Sequence, residues 1–385
     1  MTTNVLAVLG AGMQGTAAAY DMARFGAAQV RLFDADGDRA ASAAHRINAL
    51  LGRTAATGAA LDARDGRAVT KALEGVSVTL SGLPYYLNLG AAKAAIAAGS
   101  SFGDLGGNTD VVWEELALDG EARARGVSIV PDLGLAPGMG NTLAAYAMGR
   151  VRGARRVSVR CGGLPQKPKA PLDYKLVFSV EGLTNEYFGK AVFLREGHRV
   201  EVDTFDELEP VQWEGMPALE AFTTSGGTST CPWTFEGRLE SYDYKTIRYE
   251  GHFAKMKLLK DLGLLDLAPI DVLGAKVVPR EVFHSLARAR LAFPGDLDLV
   301  LLRVRCEGSE ETVTLSLRDD HDEATGFTAM ERTTAFPASI VCLMMAAGEV
   351  SPGAHRLESA IDAERFVEAL AQRGFTLVEE RASRA

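Results

Sequence analysis

The chain has 385 residues, with 41 Lys and Arg against 50 Asp and Glu, so its formal net charge is −9. Without a basic block it is unsuited to displacing counterions from nucleic-acid phosphates or to holding an anionic membrane surface. At 47% hydrophobic and 24% charged it reads as an ordinary folded protein of about two domains.

The longest apolar run, around Ile340 to Gly348, falls short of the ~20 residues that span a bilayer. The first residues lack a basic n-region and run straight into a glycine motif, which predicts a first strand, not a signal peptide, and a cytoplasmic location. The cysteines Cys161, Cys231, Cys306 and Cys342 are far apart and form no CxxC, so neither a disulfide nor a metal site is assigned.

In chain order, Val5 to Leu9 predicts a strand buried on both faces, Ala17 to Phe25 a helix stopped by Gly26, and Gln29 to Phe33 a second strand ending at Asp34. A helix over Arg39 to Leu51, a weak strand near Ala59 to Leu61, and a helix over Asp65 to Leu73 follow. Strands over Val76 to Leu80, from Ser101 to Gly103 and over Val127 to Val130 then alternate with a helix over Ala91 to Ala98. This α/β alternation predicts a Rossmann, doubly wound parallel sheet.

After Gly138 the texture changes to polar segments rich in β-branched and aromatic residues: Arg156 to Arg160, Tyr174 to Val180, Arg238 to Tyr249 and Leu299 to Leu317. They predict a second α+β domain with a mixed sheet. The end is helical again over Ala338 to Ala347 and Asp362 to Arg373, with a last strand over Phe375 to Glu379. The expected division is residues 1–137 with 337–385 for the dinucleotide, the tail returning to the first domain, and 138–336 for the substrate.

Gly10, Gly12 and Gly15, with Met13 and Gln14 between them, follow a strand and open a helix. The first glycine permits the tight turn, the second lets a pyrophosphate approach, and the third lets helix pack on strand. Asp34, 19 positions after Gly15, can accept both ribose hydroxyls and would oppose a 2′-phosphate, which favours NAD over NADP as cofactor. Arg31 and Arg39 nearby are the features that could instead meet a phosphate. Asp62 is a candidate partner for the adenine amine, and the loop through Leu83 and Pro84 for the ribose and nicotinamide.

From Asp132-Leu-Gly-Leu-Ala-Pro-Gly through Cys161-Gly-Gly-Leu-Pro, Pro171-Leu-Asp-Tyr-Lys, Ser179-Val-Glu-Gly-Leu and Lys245-Thr-Ile-Arg-Tyr-Glu-Gly-His, the order of motifs resembles the saccharopine dehydrogenase-like family over most of the chain. Within it the chain looks most like the lysine 6-dehydrogenases. That resemblance implies NAD-linked oxidative deamination of the ε-amine of L-lysine to 2-aminoadipate semialdehyde, with release of ammonia and cyclisation to piperideine-6-carboxylate. The alternative it leaves open is a saccharopine dehydrogenase or related carboxyalkyl-amine dehydrogenase. Ala136, where many saccharopine-forming relatives carry an acid, points away from saccharopine; the Cys161-Gly-Gly-Leu-Pro motif points toward it. A non-catalytic dinucleotide-binding protein is the third reading.

Such chemistry needs a cation for a substrate carboxylate, a base, and an acid for an ammonium. Arg248 is the candidate cation, with a surface ion pair as its plain alternative. On a strand, Tyr244, Thr246 and Arg248 share a face and Lys245 takes the other. His252, at a helix start, and Lys175 are candidate bases; a packed histidine and a solvated lysine are their plain alternatives. Asp104 and Asp132, behind strands of the parallel sheet, are candidates for the substrate ammonium. Tyr174, Glu181, Thr246 and Cys161 complete the expected substrate lining. The expected partners are a small amino-acid substrate and a second copy in a homodimer.

Overall fold

Val5 to Leu9 contain only aliphatic side chains and no glycine, and they form β1 (Val5–Leu9), whose Leu6 and Val8 are fully buried. Each such side chain contributes about 1.5–3 kcal/mol relative to exposure. The computed structural model describes residues 4–383, which divide into two units. One unit holds the chain up to Tyr146 together with Glu323–Phe327 and Glu331–Phe375; the other holds Ala147–Asp322, Thr328–Met330 and the chain from Thr376.

In the first unit β1 is followed by α1 (Met13–Phe25), β2 (Gln29–Asp34), α2 (Gly37–Leu51), β3 (Ala56–Ala60), α3 (Gly66–Ala72), β4 (Val78–Ser81), α4 (Asn88–Ala98), β5 (Ser101–Asp104), α5 (Thr109–Leu116), α6 (Asp119–Arg125) and β6 (Ser128–Val130). α7 (Met139–Gly149) leads into the second unit. Local chemistry sets these boundaries: Asp36 accepts the Asp38 and Arg39 N–H groups at the start of α2, and Gly52, at φ 63°, closes it.

The second unit contains β7 (Arg156–Pro165), α8 (Val180–Glu186), β8 (Lys190–Arg195), β9 (His198–Asp203), β10 (Glu209–Val211), β11 (Leu219–Thr223), α9 (Cys231–Phe235), β12 (Ser241–Tyr249), α10 (His252–Asp261), β13 (Ile270–Val272), β14 (Ala275–Val277), α11 (Pro279–Arg290), β15 (Asp298–Glu307) and β16 (Glu311–Asp320). The chain ends through α12 (Ala329–Ala346), β17 (Gly353–Ala354), α13 (Leu357–Ala360), α14 (Ala363–Gln372) and β18 (Leu377–Ser383).

The first sheet has the order β17-β6-β5-β4-β1-β2-β3 and is parallel throughout. Strand order reverses between β1 and β4, where Leu9 pairs with Ser81. Ligands bind at the carboxyl ends of strands at such a reversal. The second sheet is mixed, in the order β10-β11-β12-β7-β15-β16-β18, with β8 and β9 attached beside β12. β12 runs parallel to β7 and antiparallel to β11.

Two expectations are corrected. The segment Tyr174 to Val180 is not a strand: Ser179 Oγ accepts the Gly182 N–H at 3.0 Å and starts α8 instead. The last strand does not return to the first unit, because β18 pairs antiparallel with β16 along Leu377 to Ser383.

Candidate active site

At the sheet reversal, the backbone builds a cradle. Gly10 has φ +94°, and a Cβ there would stand 2.9 Å from Gly82 O. A Cβ on Gly15 would stand 1.8 Å from Gly10 O, so only glycine lets α1 pack this close to β1. Gly12 meets nothing within 4 Å, and no side chain caps the helix, so the start of α1 opens onto free space. Met13, half exposed, and Gln14 occupy its first turn.

Asp34 ties the cradle to β2. Its Oδ2 accepts the Ala11 N–H at 2.9 Å and its Oδ1 accepts the Asp36 N–H at 3.0 Å, while Arg39 Nη1 stands 3.5 Å away. Leu83 and Pro84 follow Gly82, whose N–H donates to Leu9 O, so their loop borders Gly10. These residues fit a dinucleotide: glycines where a phosphate needs backbone, a helix start, and a carboxylate at the end of β2. Asp62 lies at the surface, paired with Arg64 at 2.7 Å.

Asp104 and Asp132 do not stand open to a substrate ammonium. They are 1% and 3% exposed and share their burial with Glu115 of α5. Asp104 Oδ1 accepts the Gly106 N–H at 2.6 Å, and burial raises its pKa to about 6. Burial, then the charges of Asp104 and Asp132, push the Glu115 carboxyl up to about 11, so Glu115 retains its proton at neutral pH.

In the second unit, β12 presents Tyr244, Thr246 and Arg248 on one face. Lys245 points away, its Nζ 2.7 Å from Glu207 O and from Glu209 Oε2. Arg248 is 2% exposed, which removes the surface-ion-pair reading. Its Nε donates to Tyr187 Oη at 2.8 Å, its Nη1 to Ile247 O at 2.9 Å, and its Cζ lies 4.9 Å from the Tyr174 ring centre. Thr246 Oγ1 shares hydrogen bonds with Thr224 and Tyr244 at 2.7 and 3.3 Å. Cys161, on the adjacent strand opposite Thr246, is 3% exposed, and burial holds its thiol protonated.

His252 is fully buried with both ring nitrogens engaged: Nδ1 with Leu172 O and Nε2 with Tyr187 Oη, each at 2.9 Å. The carbonyl can only accept, so Nδ1 carries the proton and Nε2 accepts from Tyr187. Burial, then Arg248, lower the His252 pKa to about 3. His252 is therefore a neutral support for Tyr187, and the expectation of a free base is corrected. Lys175 turns its Nζ onto Asp296 O, and Glu181 pairs with Arg288 at the surface. The Lys175 ammonium and the Glu181 carboxylate are thus engaged away from Arg248.

Glu186, unforeseen from the sequence, faces Arg248 instead. Its Oε2 is 3.7 Å from Arg248 Nη2, and a third of its side chain is accessible. Burial outweighs the guanidinium and raises its pKa to about 7. The carboxyl is crowded by protein yet reachable by solvent. The Ser179 cap carried the only signal, because it fixes a helical register that turns Glu181 and Glu186 to different sides.

Residues 134–375 match the saccharopine dehydrogenase C-terminal domain, and residues 6–130 match the saccharopine dehydrogenase NADP binding domain. The chain belongs to the saccharopine dehydrogenase family. Among relatives in that family, the NADP(+)-dependent, L-glutamate-forming saccharopine dehydrogenase of Schizosaccharomyces pombe is 27% identical over 251 residues, 62% of this chain and 55% of the relative. The enzyme of the same name from Pyricularia oryzae is 22% identical over 65% of this chain and 57% of the relative. The matches thus span a little over half the length of those family members. The fold is that of apo saccharopine dehydrogenase (L-Glu forming) from Saccharomyces cerevisiae, with a TM-score of 0.79 at 20% identity over 98% of this chain and 100% of that one. No helix among the described residues is long and apolar enough to cross a membrane.

Proposed function

We propose that the chain is an NAD(P)-linked oxidoreductase that oxidises a carbon–nitrogen bond in an amino-acid-derived amine, with saccharopine as the leading substrate. The observation that carries this reading is Arg248, buried in a box of tyrosines beside the near-neutral carboxyl of Glu186. A fixed guanidinium can take a substrate carboxylate through its fork, and Arg248 Nη2 is beyond hydrogen-bond distance from Glu186.

An amine must be neutral before its carbon can lose a hydride. Glu186, with a pKa of about 7, is matched to take that proton, to pass it to the solvent that reaches its side chain, and, ionised again, to activate the water that hydrolyses the substrate imine. A bound nicotinamide supplies the hydride acceptor. Tyr187, held by His252, keeps Arg248 in place, and Tyr174 stacks on it. Asp104 and Asp132 are proposed as a structural support for the loops after β5 and β6.

Asp34 supports NAD, because its carboxylate stands where a 2′-phosphate would come. The named relatives take NADP(+), and Arg39, more than half exposed beside Asp34, is the group that could meet a phosphate. L-Lysine, oxidised at its ε-amine, is the second reading, favoured by Ala136 in the Asp132-to-Gly138 loop.

The test is initial NADH or NADPH formation at alkaline pH with saccharopine, L-lysine and ornithine, each with both cofactors. Saccharopine turnover is expected. Turnover of lysine alone, with ammonia released, would transfer the assignment to the second reading. Dinucleotide binding without reduction by any amine would overturn both.

A further inference from the structure

α10 starts at a residue that cannot cap it. Gly251, at φ +90°, has no side chain to accept the N–H groups that the first turn of a helix leaves without partners. α10 buries His252 and Met256, and its other residues are at least partly accessible, so little packing fixes its start.

The cap comes from another strand. Glu220 on β11 stands directly opposite Arg248 on β12, so the two side chains leave the sheet on one face. The carboxylate of Glu220, a residue 7% exposed, accepts two backbone N–H groups: Oε2 takes that of Gly251 at 3.0 Å and Oε1 that of Phe253 at 2.6 Å. Those donors flank His252. A carboxylate is favoured there by the positive end of the helix dipole and by the charge it lends to both bonds.

The surroundings of Arg248 depend on that turn. His252 Nε2 accepts from Tyr187 Oη and its Nδ1 donates to Leu172 O, while Lys255 Nζ meets Asp173 Oδ2 at 2.5 Å. Leu172 and Asp173 lead directly into Tyr174, whose ring centre lies 5.5 Å from that of His252 and 4.9 Å from Arg248 Cζ. On the other side Tyr187 Oη accepts from Arg248 Nε at 2.8 Å. The first turn of α10 thus fixes both tyrosines that hold the guanidinium, and Glu220 fixes that turn.

We infer that Glu220 is a positioning residue for the substrate carboxylate: through the start of α10 it sets His252, Tyr187 and Tyr174, and with them the direction in which Arg248 presents its fork. The inference rests on the reading of Arg248 as the carboxylate-binding group. Glutamine at this position would have the same shape but a single acceptor oxygen, and its amide NH2 would face a backbone N–H, so it cannot serve both donors.

Steady-state kinetics with saccharopine, or with L-lysine where that is the amine turned over, beside thermal unfolding tests this. Glu220→Gln is expected to raise KM about tenfold, ~1.4 kcal/mol, with kcat changed less than about threefold, and Glu220→Ala to do at least as much. The near-isosteric glutamine carries the comparison if the alanine variant does not fold. Asp362→Ala removes a cap of the same kind, from the Glu364 and Arg365 N–H groups at the start of α14, and should lower Tm with KM unchanged. Arg248→Ala separates the two readings. If it raises KM while Glu220→Gln lowers only Tm, the positioning role is overturned and the assignment of Arg248 stands. If Arg248→Ala leaves KM unchanged, the assignment of Arg248 falls and the positioning role falls with it.

Discussion

The glycine cradle of the first unit and the Arg248 cluster of the second are built from different materials. The cradle at the end of β1 is backbone: three glycines within six residues, a helix start, and one carboxylate that fastens Ala11. The Arg248 cluster is side chain. It assembles Leu172, Tyr174, Glu186, Tyr187, Arg248 and His252, from two loops, a helix end, a strand and a second helix start. A backbone site fails when an atom is added, and a side-chain site fails when one is removed.

Glycine substitutions should break the cradle most severely. In Gly15→Ala the new methyl would stand 1.8 Å from Gly10 O, so the expected outcome is loss of measurable NADH binding by calorimetry and a lower Tm. Gly12→Ala meets no neighbour within 4 Å, so Tm should hold while Kd for the dinucleotide rises about tenfold, ~1.4 kcal/mol. Equal loss of Tm in the two variants would show that Gly12 serves the fold and not the ligand.

The next effect belongs to the side-chain half. The base must be ionised, so kcat/KM should rise with pH through about 7, where Glu186 loses its proton. Glu186→Gln should remove that limb and about 10²-fold of the rate. Arg248 favours the ionised carboxylate, so Arg248→Ala should move the limb to higher pH while raising KM roughly 30- to 150-fold, ~2–3 kcal/mol. A limb that Glu186→Gln leaves in place would assign the base elsewhere.

On kinetics the smallest effect is that of Tyr187→Phe. It strips Arg248 Nε and His252 Nε2 of one partner each, and should lower stability by ~1–3 kcal/mol with KM raised more than kcat is lowered. Denaturant unfolding beside steady-state kinetics measures both; an unchanged KM would separate the tyrosine from Arg248.

The same contrast explains what was legible in the sequence. The parallel sheet, the glycine turn and Asp34 could be read because each is a local pattern that hydrogen bonds and sterics impose over about 30 residues. The alternation along β12 likewise set Arg248 apart from Lys245. Glu186 could not be read, because its role depends on α8 meeting β12, 62 positions later in the chain, and Glu181, a near neighbour of the same type, is spent on Arg288. His252 stands out in the sequence for its chemistry, but only three dimensions show Leu172 O and Tyr187 Oη taking up both nitrogens. The tail joins the second unit and not the first, because alternation shows that a segment is a strand and says nothing about its partner, here β16.

Asp21 lies at 0% exposure in α1, and its Oδ2 accepts from Arg373 Nε at 2.7 Å across 352 positions of sequence. Burial raises the Asp21 pKa to about 6, against the pull of Arg373. While the chain is being synthesised, α1 therefore emerges with a carboxylate whose cation is still to be translated. The unit that contains α1 is completed only once Arg373 has followed it, and β18 closes the other sheet after that. Contacts of such separation slow folding through loop-closure entropy. An excised fragment ending at Tyr146 should accordingly be unfolded or prone to aggregate, although its strand and glycine pattern is nearly complete.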